Sequence, residues 1–469
     1  MAQPAQPATL GDLIRTGYAV RGVREEMRAN LMQMLEKGDH TIFPGIVGYD
    51  DTVIPEIENA ILSGHHIVLL GARGQGKTRL IRGLIGLLDP LIPVIAGCEI
   101  NDDPLRPVCA ACRRRVAAEG DALPIAWLAR DARYGEKLAT PDVTIADLIG
   151  EVDPVRVAEG RYLADEEAIH FGLVPRTHRG IFAINELPDL TEKVQVGLFN
   201  VMEERDLQIK GYKVRLPLDV LVVATANPED YTSRGRIVTP LKDRFDVQIR
   251  THYPRRIEEE IAIMEQEVST ADRAGRPVRV PGFLREIVAR ITFEARAAPE
   301  ISQSSGVSVR ASINNYETLI ASAEKRALRC RESEIVPRLT DLPALSASTG
   351  GKIELDYGGD SLTEGALVER VVNRAVKATF DGYVDVEQLS SIVEYIAQGW
   401  GVAVSDSMPA ADYMNGIATV PGLRDAIEAL GPYESPGLMA SAAELILEGL
   451  HLHDKLDRER EGGRMIFKA

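Results

Sequence analysis

The sequence predicts an α/β fold, a parallel sheet covered by helices, followed by largely helical regions. Three observations carry this expectation. From Ile46 to about Tyr253, short β-branched runs alternate with helix-compatible stretches, the pattern of strands joined by crossover helices. After Pro254 strand-like runs give way to helical periodicity. The run Gly71-Ala72-Arg73-Gly74-Gln75-Gly76-Lys77-Thr78 directly follows the apolar stretch His66 to Leu70. It fits the G-x-x-x-x-G-K-[ST] phosphate loop, and the helix-compatible run Arg79 to Leu88 supplies the context the motif requires.

Taken in chain order, residues 1–43 read as a helical extension, with Leu13, Val20, Val23, Met27, Leu31 and Leu35 at roughly helical spacing until Pro44-Gly45 breaks the pattern. Residues 44–254 form the expected α/β unit, whose buried strands are read at Ile67–Leu70, Ile181–Ile184 and Val220–Ala224. Residues 255–345 are predicted helical, over Arg255–Thr270, Pro281–Ala297 and Val309–Arg329. Residues 346–469 open on a Ser/Gly-rich stretch, Ser346 to Gly359, read as a linker or exposed hairpin. The remainder reads as mostly helical and ends in the charged segment Asp454 to Arg464.

Bulk properties bound the function. A chain of 469 residues exceeds one ordinary core, and 45% hydrophobic with 26% charged residues is a soluble globular composition. No apolar run is long enough to span a bilayer, and the N-terminus lacks a basic segment followed by an apolar one, so a cytoplasmic location is expected. A net charge of −16 and only 5% aromatic residues argue against a general nucleic-acid surface. The four cysteines are too few for a disulfide framework. Cys98, Cys109 and Cys112 do cluster, and Asp102 or Asp103 could complete a zinc set, but Cys330 lies far away, and ordinary thiols in an insertion loop are the expected reading.

The phosphate loop implies a nucleotide. Its glycines let successive N–H groups turn inward toward an anion. Lys77 would reach the β- and γ-phosphates of ATP or GTP, and Thr78 would offer its hydroxyl to Mg²⁺, with the following helix directing its positive end at the phosphates.

Four further pieces follow in order. Gly180-Ile-Phe-Ala-Ile-Asn185-Glu186 is an apolar strand ending in two polar residues, and Ala224-Thr-Ala-Asn227 is a strand ending in an amide. Pro240-Leu-Lys-Asp-Arg244 places an arginine on an exposed turn, and Ser305-Gly-Val-Ser-Val-Arg310 places one at a helix start. With these, the chain resembles the AAA+ ATPases, in the branch of the magnesium-chelatase motor subunit and the MoxR-type proteins. Phe43 to Gly48, the insertion Ile149 to Gly180 and the hairpin-like Glu203 to Pro217 are similar to features of that branch. The enhancer-type activators share the core, but the chain lacks their G-A-F-T-G-A loop.

The resemblance implies an AAA+ P-loop core with helices on both sheet faces, a helical lid, and a ring oligomer, expected as a hexamer, using ATP and Mg²⁺. Glu186 would be the general base, Asn227 the first sensor, Arg310 the second sensor and Arg244 the finger entering a neighbouring subunit's site. It also implies a partner carrying a von Willebrand factor A domain, remodelled or loaded with metal. Alternatives are the motor of magnesium chelatase itself, driving Mg²⁺ insertion into protoporphyrin, and an ATP-gated scaffold with negligible turnover. One departure stands out: Asn185 occupies the place where the family usually has Asp. An amide there can still accept from a Mg²⁺-bound water, but one negative charge is missing, so weaker Mg²⁺ retention or slower hydrolysis is expected.

Overall fold

The computed structural model describes residues 6–39, 42–158, 166–203, 207–209, 212–214, 216–227, 236–302, 306–353, 363–461 and 464–468. It divides into two compact units, Met1–His252 and Tyr253–Ala469. The first carries β1 (Ile67–Leu70), β2 (Leu91–Ile95), β3 (Ile125–Ala129), β4 (Tyr134–Leu138), β5 (Gly150–Val152), β6 (Ile169–Phe171), β7 (Gly180–Asn185), β8 (Leu207–Ile209), β9 (Tyr212–Val214), β10 (Val220–Ala226) and β11 (Val247–Arg250). Five of them make one sheet in the order β11-β1-β10-β7-β4, and every neighbouring pair is parallel.

Alternation along the strands feeds two cores. Ile67, Leu69, Ile181, Ala183, Leu221, Val223 and Ile249 point into one, while Val68, Phe182, Ile184, Val222 and Ala224 point into the other. Strands buried on both faces need apolar residues at every position, which is why β1, β7 and β10 were legible as continuous runs.

The N-terminal extension is two helices, Leu10–Arg15 and Val23–Glu36, and Val20 lies exposed between them, so the single periodic pattern does not hold across residues 16–22. Val23, Met27 and Leu31 pack into the same core as Ile67 and Leu69. Within that helix Glu26 takes both ends of the Arg133 guanidinium, at 2.7 and 2.6 Å, and both side chains are almost fully buried. Arg133 leads directly into β4, so this pair fixes the helix against the sheet edge.

Among the described residues three antiparallel pairs interrupt the α/β pattern, the first being β2 with β3. β5 pairs with β6 inside the Ile149 to Gly180 segment, and β8 pairs with β9 inside the Glu203 to Pro217 segment, of which residues 204–206, 210–211 and 215 lie outside the described residues.

In the second unit the helices Ile257–Glu267, Gly282–Ala297, Arg310–Cys330, Glu364–Tyr383 and Pro436–Leu452 contribute to one core that runs from Met264 to Phe467. The expected linker is corrected in its first part: Leu345–Gly350 is a helix with Thr349 and Gly350 buried. Its hydroxyls are satisfied there, because Asn315 Oδ1 accepts from Ser348 Oγ at 2.6 Å and Thr349 Oγ1 at 3.1 Å. Residues 354–362, which include the last six of that stretch, and Ser305 lie outside the described residues. The charged C-terminal segment is also not helical. β13 (Asp457–Glu461) and β14 (Arg464–Lys468) pair antiparallel, and β14 pairs with β12 (Val402–Val404), because the alternation of β14 buries Phe467 while β13 stays at the wet edge. Among the described residues no helix is long and apolar enough to cross a membrane.

His178 ties β10 to the turn before β7. Its Nδ1 accepts the Asp219 N–H at 2.9 Å, and burial, reinforced by the neighbouring Arg179 charge, pushes its pKa down to about 3. Unfolded, the imidazole protonates near 6.5, so between these values the unfolded chain binds the extra proton. The stabilisation from neutral His178 is therefore complete above about pH 6.5 and is lost as pH falls toward 3. Chemical denaturation at pH 7.5 and 5.5 should show the first unit losing on the order of 1 kcal/mol through this residue, with His178→Gln showing a shallower pH dependence.

Candidate functional site

The phosphate loop leaves the carboxyl end of β1 and enters the helix Lys77–Gly83. β1 lies between β10 and β11, so the loop opens above the carboxyl ends of parallel strands, where α/β sheets bind ligands. Gly74 and Gly76 adopt φ values of 75° and 70°, a left-handed conformation that costs glycine little and that turns the loop into a cradle. Gly71 is required for a different reason: a Cβ there would lie 1.9 Å from Thr251 Oγ1 and 2.2 Å from Gln75 Oε1. Those two atoms are themselves hydrogen-bonded at 2.7 Å, and Gly71 N donates to Ala226 O at 3.1 Å. Tyr49 adds a clamp, its hydroxyl 2.8 Å from the Gln75 carbonyl and 2.7 Å from that of His252.

Lys77, Asn227 and Glu186 come together as one chain of hydrogen bonds. The buried Lys77 ammonium donates to the Gly71 carbonyl, to Ala72 O at 2.9 Å and to Asn227 Oδ1 at 2.8 Å. Asn227 Nδ2 donates to Glu186 Oε2 at 2.6 Å. Glu186 sits in the left-handed region, at φ 57°, where the backbone turns sharply off β7, and its N–H donates to Thr225 Oγ1 at 3.0 Å. A non-glycine residue held in that conformation stores strain that only a well-determined surrounding sustains. Thr78 follows Lys77 in the first turn of the helix, half-buried. Ala72 is half-buried and Arg73 exposed on the loop's outer side.

Asn185 is held differently. Its Nδ2 donates to Glu136 Oε1 at 2.6 Å, across the β4–β7 ladder, and its Oδ1 lies 3.5 Å from Thr225 Oγ1. Glu136 also accepts from Arg82 Nε at 2.9 Å and from Tyr134 OH at 3.1 Å. Burial works to raise the Glu136 carboxyl, but the hydrogen bonds from Arg82, Tyr134 and Asn185, with the Arg82 charge, outweigh it and hold the group below its ordinary range. A carboxylate thus stands beside the Asn185 amide. Sequence reasoning did not find Glu136, because Y-G-E-K-L is too polar to read as a strand and only the ladder register brings it to Asn185. Thr225 was findable, since strand alternation puts it on the face of Asn227.

Arg244 ends the helix Thr239–Arg244, its guanidinium 5.4 Å over the Phe199 ring, a cation–π distance. Arg310 opens the helix Arg310–Cys330 in the second unit, exposed, its N–H donating to Ser308 Oγ at 3.1 Å.

The family model described as the sigma-54 interaction domain matches residues 157–247. A segment of 208 residues is 27% identical to the magnesium-chelatase 67 kDa subunit of Heliobacterium mobile, covering 43% of this chain and 29% of that one. Over 248 residues the chain is 25% identical to the chloroplastic magnesium-chelatase subunit ChlI of Nicotiana tabacum, covering 51% and 55%. The chain therefore spans about half the length, or less, of these two relatives. Among solved structures, NtrX of Brucella abortus in complex with ATP is 14% identical with a TM-score of 0.43, covering 83% of this chain and 72% of that one. The phosphate loop, the parallel sheet with helices on both faces and the ordered motifs define an AAA+ ATPase fold. Within that class the sequence likeness runs to the magnesium-chelatase motor subunits.

Close packing at Gly71 gives a test. Gly71→Ala should weaken binding of a fluorescent ATP analogue at least tenfold while leaving the far-ultraviolet circular dichroism unchanged. Adding Thr251→Ala, which removes the nearest obstructing atom, should recover part of the loss.

Proposed function

We propose that this chain is a ring-forming motor that couples ATP binding and hydrolysis to remodelling or metal loading of a partner protein, one carrying a von Willebrand factor A domain. The observation that carries the reading is the hydrogen-bonded chain Lys77–Asn227–Glu186 at the carboxyl ends of β1, β10 and β7. A phosphate-binding lysine, an amide and a carboxylate there are the parts an attacking water and a γ-phosphate require.

The residues present fit ATP with Mg²⁺. The glycine cradle presents N–H groups to an anion, and a Cβ at Gly76 would meet only open space on that side. Thr78 would hold Mg²⁺ through its hydroxyl, and Asn185 would accept from a metal-bound water through Oδ1, since its Nδ2 is committed to Glu136. When bound, Mg²⁺ neutralises phosphate charge. Lys77 would pair with the phosphates in place of the loop carbonyls it now engages. Glu186 would take the proton of the attacking water, oriented by the Asn227 amide. Arg244 would stabilise charge developing on the γ-phosphate of a neighbouring subunit, and Arg310 would act as second sensor.

A narrower reading, the motor of magnesium chelatase acting in Mg²⁺ insertion into protoporphyrin, draws on the likeness to the Heliobacterium and tobacco subunits. Asn185 and the cysteine-bearing insertion weigh against it. The discriminating assay is Mg²⁺ insertion with the purified chain in place of an authentic motor subunit.

Steady-state ATP hydrolysis across a range of protein concentrations tests the motor. Specific activity should rise with concentration, Lys77→Ala and Arg244→Ala should abolish it, and Glu186→Gln should lower it roughly 10²–10⁴-fold while keeping ATP binding. ATP binding without hydrolysis at any concentration would favour a nucleotide-gated scaffold instead.

The Asn185–Glu136 pair refines the metal question. Asn185→Asp alone would set two carboxylates at hydrogen-bond distance, so one must protonate or the pair must part. Asn185→Asp combined with Glu136→Gln should lower the Mg²⁺ concentration needed for half-maximal hydrolysis severalfold, and the single Asn185→Asp should not. Equal Mg²⁺ dependence in wild type and double variant would sink the idea that the amide weakens metal retention.

A further inference from the structure

Outside the nucleotide site, four metal-ligating groups meet at one point. Cys98 lies in the turn after β2, and Asp102 four residues on in the same loop. Cys109 caps the helix Ala110–Glu119, and Cys112 is in its first turn. Their three sulfurs and a carboxylate oxygen all lie within 4.8 Å of one another, and all three cysteines are free thiols. Four ligand atoms on a tetrahedral zinc with Zn–S bonds near 2.3 Å stand about 3.8 Å apart, so a contraction of about 1 Å or less completes the sphere.

Two independent features point to a cation there. Asp102 is fully buried, yet among the described residues no cationic side chain pairs with it, and a buried carboxylate is costly unless a charge offsets it. Two backbone N–H groups orient the carboxylate, Oδ1 accepting from Val108 N at 3.1 Å and Oδ2 from Cys109 N at 3.0 Å, which leaves a lone pair on each oxygen. The sulfurs are also arranged as ligands: Asp102 N donates to Cys98 Sγ at 3.4 Å and Cys112 N donates to Cys109 Sγ at 3.3 Å. Such N–H···S bonds support thiolates on a metal. The neighbouring Asp103 faces elsewhere, onto Arg179 and Tyr18, so the carboxylate of the set is Asp102.

We infer that Cys98, Cys109, Cys112 and Asp102 form a closed, structural Zn²⁺ site. Three thiolates with one oxygen, all but the half-buried Cys98 shielded from solvent and with no position left for substrate, select zinc over hard cations and over a catalytic role. Binding releases the three thiol protons, and the ion staples the loop after β2 to the start of the following helix. A Cys-x-x-Cys pair at a helix start can instead serve dithiol–disulfide chemistry, but that chemistry has no use for Cys98 and Asp102 converging on the same point.

The full chain, purified under reducing conditions without chelator, should carry about one zinc per molecule by elemental mass spectrometry. After chelation, readded Zn²⁺ should raise the thermal midpoint and shield three of the four thiols from alkylation. Co²⁺ in its place should show thiolate charge-transfer bands and tetrahedral visible bands. Cys98→Ser and Asp102→Asn should lower zinc affinity at least tenfold. Metal-free protein whose thiols alkylate equally with and without Zn²⁺, or a Cys109–Cys112 disulfide in the freshly purified chain, would overturn the assignment. The shielding and cobalt readings use the unaltered protein and stand even where a variant fails to fold.

Discussion

The placement of β1 between β10 and β11 is the constraint on which the site depends. One neighbour delivers Ala226 O to the Gly71 N–H and Asn227 to Lys77; the other leads into Thr251, which locks Gln75. The loop is therefore fixed by both flanks as well as by its own glycines. β7, one strand further out, contributes Asn185 and Glu186 at the same level, because parallel strands end together. The strained backbone of Glu186 is tolerable only because Thr225 and Asn227 of the next strand hold its N–H and its carboxylate.

Legibility in the sequence followed burial. β1, β7 and β10 are buried on both faces and announced themselves as apolar runs; β4 is a half-exposed edge and did not. The helices of the second unit were readable because each has one apolar face, whereas β13 and β14 carry charges on every exposed position and register as strands only through pairing. At the site, Lys77, Glu186 and Asn227 were legible as motifs of fixed order. Glu136 was not, since its relation to Asn185 is a ladder register, a long-range property. The same holds for the cysteines. Three were visible, but whether Asp102 or Asp103 joined them depended on which carboxylate Arg179 claims.

Asn185 takes on a different character once Glu136 is seen. The amide does not simply dilute the local field; it serves as a donor to a carboxylate that also binds Arg82 on the helix following the phosphate loop. The carboxylate sits one strand over and is linked to the helix that carries Thr78. Asn185 and the phosphate-loop helix thus form one connected polar unit.

The ion pair between Glu26 and Arg133 has a consequence for where the nucleotide unit starts. Motif order alone would draw its border near Pro44, just ahead of the segment that leads to the phosphate loop. Yet the helix Val23–Glu36 covers one face of the central sheet and neutralises a guanidinium that water barely reaches. A shortened chain beginning at residue 44 would open part of the core on that face and strand Arg133 without its carboxylate. The smallest autonomous nucleotide-binding piece is longer at its amino end than its motifs advertise.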